Sequence, residues 1–332
     1  MRRVCLAPMM DRTDRHFRFL LRMIAPRTLL YTEMITAFAI LRGDADSLLA
    51  HDRQEHPLAL QLGGSSASDL ARATERASGF AFDEFNINAG CPSDRVQAGA
   101  FGAALMLEPA KVADCVRSMR DVTDQPVTVK TRIGVDHQDD YAFLAQFASA
   151  VAEAGCKTLI VHARKAWLKG LSPKQNREIP PLDYARVHQL KRDFPELEII
   201  INGGIRTVED VRTALGPADG VMIGRAACDT PLVMREIENE LLGPGRYLAV
   251  SDVLDRYARY VCAQVREGQT VSRLVRPLSG ITAGRPGARR WRRMLSTLPA
   301  GEAGAQQLSS EFKCLPDAAE SRYNEPQVEY RR

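Results

Sequence analysis

Short runs rich in Val, Ile and Leu alternate along this chain with longer stretches in which apolar residues recur every three or four positions. That alternation is the pattern of repeated β-α units around a parallel sheet. Eight runs stand out, at residues 4–9, 28–33, 57–62, 82–88, 126–132, 158–163, 198–202 and 220–224. Between them the spacing predicts helices over 67–77, 109–121, 141–154, 183–194 and 208–215. Eight strands with intervening helices suit a closed (β/α)8 barrel, with a doubly wound open sheet as the competing arrangement. The strand ends favour the barrel. Polar, Gly-containing or reactive residues close almost every run: Pro8-Met9, Glu33, Gln61, Asn88 to Cys91, Lys130, His162, Asn202-Gly203-Gly204 and Gly224-Arg225. In a barrel these ends converge on one face. No G-x-G-x-x-G follows the first run, which weakens the dinucleotide-binding alternative.

The alternation stops after Gly243-Pro244-Gly245, so the barrel is expected to occupy residues 1–243. Residues 246–298 begin with an amphipathic pattern over 247–266 and continue in arginine-rich segments, which predicts a small helical domain. Residues 299–332 are rich in Ala, Gly, Ser and Glu with few large apolar groups and are expected to form a mobile tail. At 45% hydrophobic and 26% charged residues the composition is that of an ordinary globular chain. No stretch approaches the roughly 18 consecutive apolar residues of a membrane span, and no targeting segment is evident. Seven unclustered cysteines without a C-x-x-C pair argue for reduced thiols in the cytoplasm and against a disulfide scaffold or a metal site. The chain is expected to be monomeric. A net charge of +4 calls for no polyanionic partner by itself. Its distribution is more informative: Arg273, Arg276, Arg285, Arg289, Arg290, Arg292 and Arg293 lie between Val271 and Met294 with no Asp or Glu among them, a basic face for RNA or a solvated surface.

Glycines at the ends of the seventh and eighth runs would let backbone N–H groups approach a phosphate, the usual phosphate site of such barrels, although tight turns need glycine too. Lys130, His162 and Gln61 would point into the same mouth, where a cation and an amide suit an electron-rich ring such as a flavin. Cys91, between Gly90 and Pro92 just beyond a strand, would hold a thiol over that mouth. Cys115 and Cys262 instead fall on apolar helix faces, as structural cysteines do. An ordinary thiol is mostly protonated at neutral pH and can act as an acid; a nucleophile would need a lowered pKa.

In these segments the sequence resembles a known family, the tRNA-dihydrouridine synthases, and within it most closely the dihydrouridine synthase A branch. The resemblance runs from Leu6 to about Leu295. It is carried by Ala7-Pro8-Met9-Met10-Asp11-Arg12-Thr13-Asp14-Arg15-His16, Gly90-Cys91-Pro92-Ser93-Asp94-Arg95-Val96-Gln97, Val129-Lys130-Thr131-Arg132-Ile133-Gly134 and His162-Ala163-Arg164-Lys165-Ala166-Trp167. Most diagnostic is Gly170-Leu171-Ser172-Pro173-Lys174-Gln175-Asn176-Arg177-Glu178-Ile179-Pro180-Pro181-Leu182. The resemblance implies an FMN-dependent oxidoreductase that uses NADPH to reduce the C5=C6 bond of D-loop uridines at positions 20 and 20a of tRNA. FMN would be held by Pro8, Met9, Met10, Gln61, Lys130, His162, Asn202, Gly203, Gly204, Gly224 and Arg225. Hydride would pass from flavin N5 to uracil C6, and Cys91 would give a proton to C5. Because a stacked uridine must be extracted to reach the barrel, RNA contacts are expected from Asn88, Arg164, Lys174, Asn176, Arg177, Arg273, Arg276, Arg289 and Arg293. Two departures stand out: Arg12, where the family commonly has Trp, and Arg276-Pro277-Leu278-Ser279-Gly280, where the branch's usual pattern is altered. A flavin barrel acting on a free pyrimidine would need no basic helical domain. A catalytically dead RNA-binding protein would show a broken cofactor site.

Overall fold

A computed structural model describes residues 3–313 apart from 94, 95, 97, 98 and 100. Its parallel strands are β1 (Val4–Leu6), β2 (Leu30–Tyr31), β3 (Ile35–Thr36), β4 (Leu58–Gly63), β5 (Glu84–Ala89), β6 (Val127–Arg132), β7 (Thr158–His162), β8 (Glu198–Asn202) and β9 (Gly220–Ile223). Their order is β1-β9-β8-β7-β6-β5-β4-β2, with β3 also paired to β4. Leu29 closes the ring: Leu6 N donates to Leu29 O at 2.9 Å and Leu29 N to Val4 O at 3.0 Å. The result is the expected (β/α)8 barrel. The run at 28–33 yields only the short β2, and β3 takes up the pairing with β4 farther along.

Inside the ring, Cys5, Ala7, Leu29, Tyr31, Ala59, Ile160, Ile200 and Met222 form a core separate from the larger one between strands and helices. Alternation along each strand sends every second side chain inward. Thr128, Lys130 and Arg132 share one parity of β6, as Asn86 and Asn88 do on β5. The deeper of these are spent on structure. Gln61 donates to Asn86 at 2.8 Å, Asn86 to Thr128 at 2.8 Å, and Thr128 to Glu84 at 2.6 Å. The later ones reach the mouth.

Outside the strands, α1 (Arg15–Ile24) follows β1, capped by Asp14, whose carboxylate accepts from His16 N and Phe17 N. Next come α2 (Ala37–Arg42), α3 (Ala45–Leu49), α4 (Ala67–Ser78), α5 (Pro109–Arg120), α6 (Tyr141–Glu153), α7 (Tyr184–Asp193), α8 (Val208–Leu215), α9 (Arg225–Asp229) and α10 (Val233–Leu242). The five helices expected from spacing appear within one or two residues of their expected bounds. Beyond them lie α11 (Val250–Arg266), α12 (Val271–Val275), a 3-10 turn (Arg276–Gly280), α13 (Ala288–Ser296) and α14 (Gly301–Lys313). This helical region rests on α1, where Phe19 and Tyr260 stack with ring centroids 4.0 Å apart.

One expectation needs correction. The first part of the supposed mobile tail is α14, which packs along α11 and buries Ala305, Leu308 and Phe312. Phe312 stacks on Trp291 at 5.4 Å. Composition concealed this because three apolar residues, spaced by three and four, are enough to seat a helix on an existing surface. Residues 314–332, Cys314 included, lie outside the described residues. Among the described residues Cys91, Cys115, Cys228 and Cys262 are free thiols, no cluster of His, Cys, Asp or Glu could hold a metal, and no helix is long and apolar enough to cross a membrane.

Candidate active site

The strand ends meet around a cavity of about 620 Å³. Its wall includes every residue expected to hold the cofactor: Pro8, Met9, Met10, Gln61, Lys130, His162, Asn202, Gly203, Gly204, Gly224 and Arg225. Cys91, Asn88 and Arg177 line it as well. Strand register explains the convergence, since Asn88 pairs with Lys130, Arg132 with His162, and His162 with Asn202 on successive strands.

Lys130 sends its ammonium to Asn202 Oδ1 at 3.2 Å, and Asn202 Nδ2 in turn donates to Met222 O at 2.7 Å. Burial, reinforced by Arg132, pushes the Lys130 pKa down to about 7. His162 is driven the same way, well below its ordinary value, by burial and by Arg132, Lys130 and Arg164. It is therefore a neutral imidazole at neutral pH. Its Nδ1 is buried with no hydrogen-bond partner among the described residues. A cation with no carboxylate paired to it among the described residues and an imidazole with an unused nitrogen both await an anionic, hydrogen-bonding ligand. The glycine turn fits one too. Gly204, at φ 77°, has no room for a side chain, because a Cβ would come 2.5 Å from Leu182 and 2.7 Å from the Tyr184 hydroxyl. Tyr184 fixes that turn by donating to Gly203 O at 2.7 Å.

Cys91 is held by backbone. Asn88 Oδ1 accepts from both Gly90 N and Cys91 N at 3.1 Å, and Cys91 O accepts from Ala103 N at 2.9 Å. Gly102, at φ 74°, backs this loop: a Cβ there would lie 2.4 Å from Cys91 O. The half-buried thiol faces the cavity with Ser93 Oγ 3.5 Å away. Asp94, Arg95 and Gln97 of the same motif lie outside the described residues.

Several residues expected to touch RNA do other work. Asn176 is fully buried. Its Oδ1 accepts from Trp167 N at 2.7 Å while its Nδ2 donates to Trp167 O at 2.9 Å and Leu171 O at 3.1 Å, so it staples the loop between β7 and α7. Arg164 does not line the cavity; it donates to Pro180 O beneath the same loop. Asn88 spends its amide oxygen on the Cys91 loop. Lys174 and Arg177 are exposed. Arg273 pairs with Asp14 at 3.4 Å, and it lines with Arg276 a second, much smaller pocket beside Arg12. Arg289 and Arg293 are exposed on α13. Arg225, expected at a phosphate, is paired with Glu178 at 2.7 Å. Arg12 pairs with Asp229 at 2.5 Å, presented by a turn in which Asp11 takes φ 60°.

Sequence reasoning passed over Met34, Tyr184 and Arg132. Arg132 was legible, for it stands two residues beyond Lys130 on the same parity of a strand and must point inward.

A family model described as Dihydrouridine synthase (Dus) matches residues 5–319. Among curated relatives, the tRNA-dihydrouridine(20/20a) synthase of Salmonella typhi is 51% identical over 320 residues, covering 95% of this chain and 96% of its own. That of Escherichia coli O6:H1 is 51% identical over 306 residues, 91% of this chain and 92% of its own. The protein of the same name from Vibrio parahaemolyticus is 51% identical over 296 residues, 89% of this chain and 90% of its own.

Proposed function

The chain belongs to the dihydrouridine synthase family, and from that premise we propose that it is a tRNA-dihydrouridine(20/20a) synthase, an FMN-dependent oxidoreductase fed by NADPH. The observation that carries this reading is the cavity itself. It brings Lys130, His162, Gln61, the Gly203-Gly204 turn and Cys91 to one mouth, and its cationic wall and orphaned imidazole suit a phosphorylated, electron-rich ring.

Bound FMN would supply the hydride for uracil C6. The chain does the rest. Lys130, Asn202 and Gln61 would hold the ring, and the Gly203-Gly204 turn with Arg225 the phosphate, once Arg225 exchanges Glu178 for it. His162, kept neutral, would offer a hydrogen bond without adding a second charge beside Lys130. As C6 gains hydride, the electron pair of the C5=C6 bond moves toward C5 and the C4 carbonyl. Cys91 then gives its proton to C5, forming the C–H bond and leaving a thiolate that takes a proton back from water. One hydride and one proton have gone to the base, which balances the reduction.

A uridine stacked within tRNA cannot reach this cavity unless it is drawn out, so the surrounding RNA must be gripped. Arg177 lines the mouth and Lys174 is exposed on the same loop, and Arg273, Arg276, Arg289 and Arg293 of the helical region, residues 246–298, would extend the cationic surface. A tRNA substrate puts the reaction in the cytoplasm. We take the working form to be the monomer.

The test is direct. Purified protein supplied with FMN should be yellow, and with NADPH and unmodified tRNA it should form dihydrouridine at positions 20 and 20a. Unchanged tRNA beside reduction of free uracil or uridine would favour the free-pyrimidine enzyme. A protein that cannot take up FMN would overturn the flavin reading altogether.

A further inference from the structure

Arg132 ends β6 opposite His162 and is 4% exposed. Burial and the neighbouring Arg177 and Arg164 lower its pKa to about 10, so the buried group stays charged at neutral pH. Among the described residues no carboxylate accepts a hydrogen bond from it. Arg132 borders the cavity, and three of its guanidinium N–H groups are taken by backbone carbonyls: Nε donates to Gly90 O at 2.8 Å, and Nη1 donates to Lys165 O at 3.0 Å and Asn176 O at 3.1 Å. The positions of these carbonyls matter. Gly90 immediately precedes Cys91, and Asn176 immediately precedes Arg177, and both Cys91 and Arg177 line the cavity. One buried guanidinium thus fixes, a single peptide away, the thiol on one side of the mouth and a cation of the β7–α7 loop on the other. Its geometry admits no substitute, because a planar fork can serve carbonyls from two loops where an ammonium cannot span them.

From this we infer that Arg132 is a positioning residue that couples the two loops, so that seating RNA on the β7–α7 loop sets the Cys91 thiol for proton transfer. The inference rests on the function proposed above. It gives the buried charge a purpose. Asn176 already braces the loop from within through Trp167 and Leu171, so a pull on that loop reaches Arg132 through the Asn176 carbonyl and then Gly90. A base drawn into the cavity would meet an acid whose position depends on the loop that holds the RNA, and a free pyrimidine would not engage that loop.

Arg132→Lys keeps the charge and loses the fork. The Lys variant should retain FMN and be reduced by NADPH at a rate within about twofold of the wild type. Its kcat for dihydrouridine formation should fall by about 100-fold, the scale of an ångström's misplacement of a reacting group, while KM for tRNA changes far less. Asn176→Ala, which weakens the other end of the tie, should lower kcat as well, and the double variant should lose much less than the product of the two single losses. Hydrogen exchange gives a readout apart from turnover. With tRNA, the wild type should gain protection both across 165–182 and at 89–93, whereas Arg132→Lys should gain it only across 165–182.

Full kcat in Arg132→Lys, loss of FMN from a folded Arg132→Lys protein, strictly multiplicative losses, or protection at 89–93 that survives the substitution would each overturn the inference. Should Arg132→Lys fail to fold, Asn176→Ala decides by the same exchange measurement, with loss of the 89–93 response expected and its retention contradicting the tie. If wild-type protein makes no dihydrouridine, the functional reading fails first, and the exchange response to tRNA still reports on the tie.

Discussion

Removing the buried ammonium at Lys130 should stabilise the FMN-free protein and erase the pH dependence of FMN binding above neutrality. In the folded protein its pKa falls from 10.5 to about 7, with burial the largest cause and Arg132 the second. At roughly 1.4 kcal/mol per tenfold change, the charged form is disfavoured by about 5 kcal/mol relative to water. At pH 7, where the group is half charged when folded and fully charged when unfolded, the penalty is about 4 kcal/mol. Between pH 7 and 10.5 the unfolded chain binds the extra proton, so stability rises with pH across that window and the penalty is complete below it. Lys130→Met keeps the length and loses the charge. Its urea midpoint at pH 7 should therefore exceed that of FMN-free wild type, with the difference shrinking as pH rises toward 10.5. The electron-rich edge of the FMN ring would accept a hydrogen bond from the charged Lys130 and should raise its pKa again, so binding takes up a proton. Wild-type affinity, measured by quenching of flavin fluorescence, should then weaken above pH 7 by up to about tenfold per pH unit, whereas Lys130→Met should bind more weakly at pH 7 with a flat profile. A variant that destabilises the FMN-free protein at pH 7, or a wild-type profile flat from pH 7 to 9, would refute the reasoning.

His16, fully buried between α1 and α11 and bonded through Nδ1 to the Tyr260 hydroxyl at 2.7 Å, has its pKa lowered to about 4, chiefly by burial. The unfolded imidazole protonates near 6.5, so about 3 kcal/mol of stability, present above that pH, should be lost as pH falls from 6.5 to 4. Urea unfolding of His16→Gln should show a shallower loss over that range. Leu308→Ala should destabilise the helical region by about 2 to 5 kcal/mol, because Leu308 is fully buried on α14; a change below about 0.5 kcal/mol in chemical denaturation would mean that α14 does not pack. Replacing Arg289 and Arg293 by Gln should raise KM for tRNA and reduce the slope of log affinity against log salt by about 1 for each phosphate no longer neutralised, leaving FMN affinity unchanged.

Much of this architecture could be read from the chain. Runs rich in Val, Ile and Leu located all eight barrel strands, and the polar, glycine or reactive residues closing almost every run marked the mouth, because strand ends in a barrel face one way. Two things stayed hidden. The first was the division of labour around the mouth: Asn176 and Arg164 lie in the loop after β7 and Asn88 near the end of β5, yet folding spends them on backbone groups no sequence pattern reveals. The second was the packing of α14, whose few apolar positions gain their meaning only from the groove on α11. Arg132 lay between these cases, since strand parity aims it inward but only the folded chain brings three carbonyls around it. Family resemblance, rather than spacing, supplied the identity of cofactor and substrate.

The central claim is that Cys91 delivers a proton to a uracil ring drawn from tRNA into this cavity. Single-turnover reduction of tRNA by pre-reduced, FMN-loaded Cys91→Ala tests it most directly, with FMN content and tRNA affinity measured on the same sample. The account predicts FMN and tRNA binding within about twofold of wild type and dihydrouridine formation slowed by about 10² to 10⁴. Dihydrouridine formed at the wild-type rate by Cys91→Ala would contradict it.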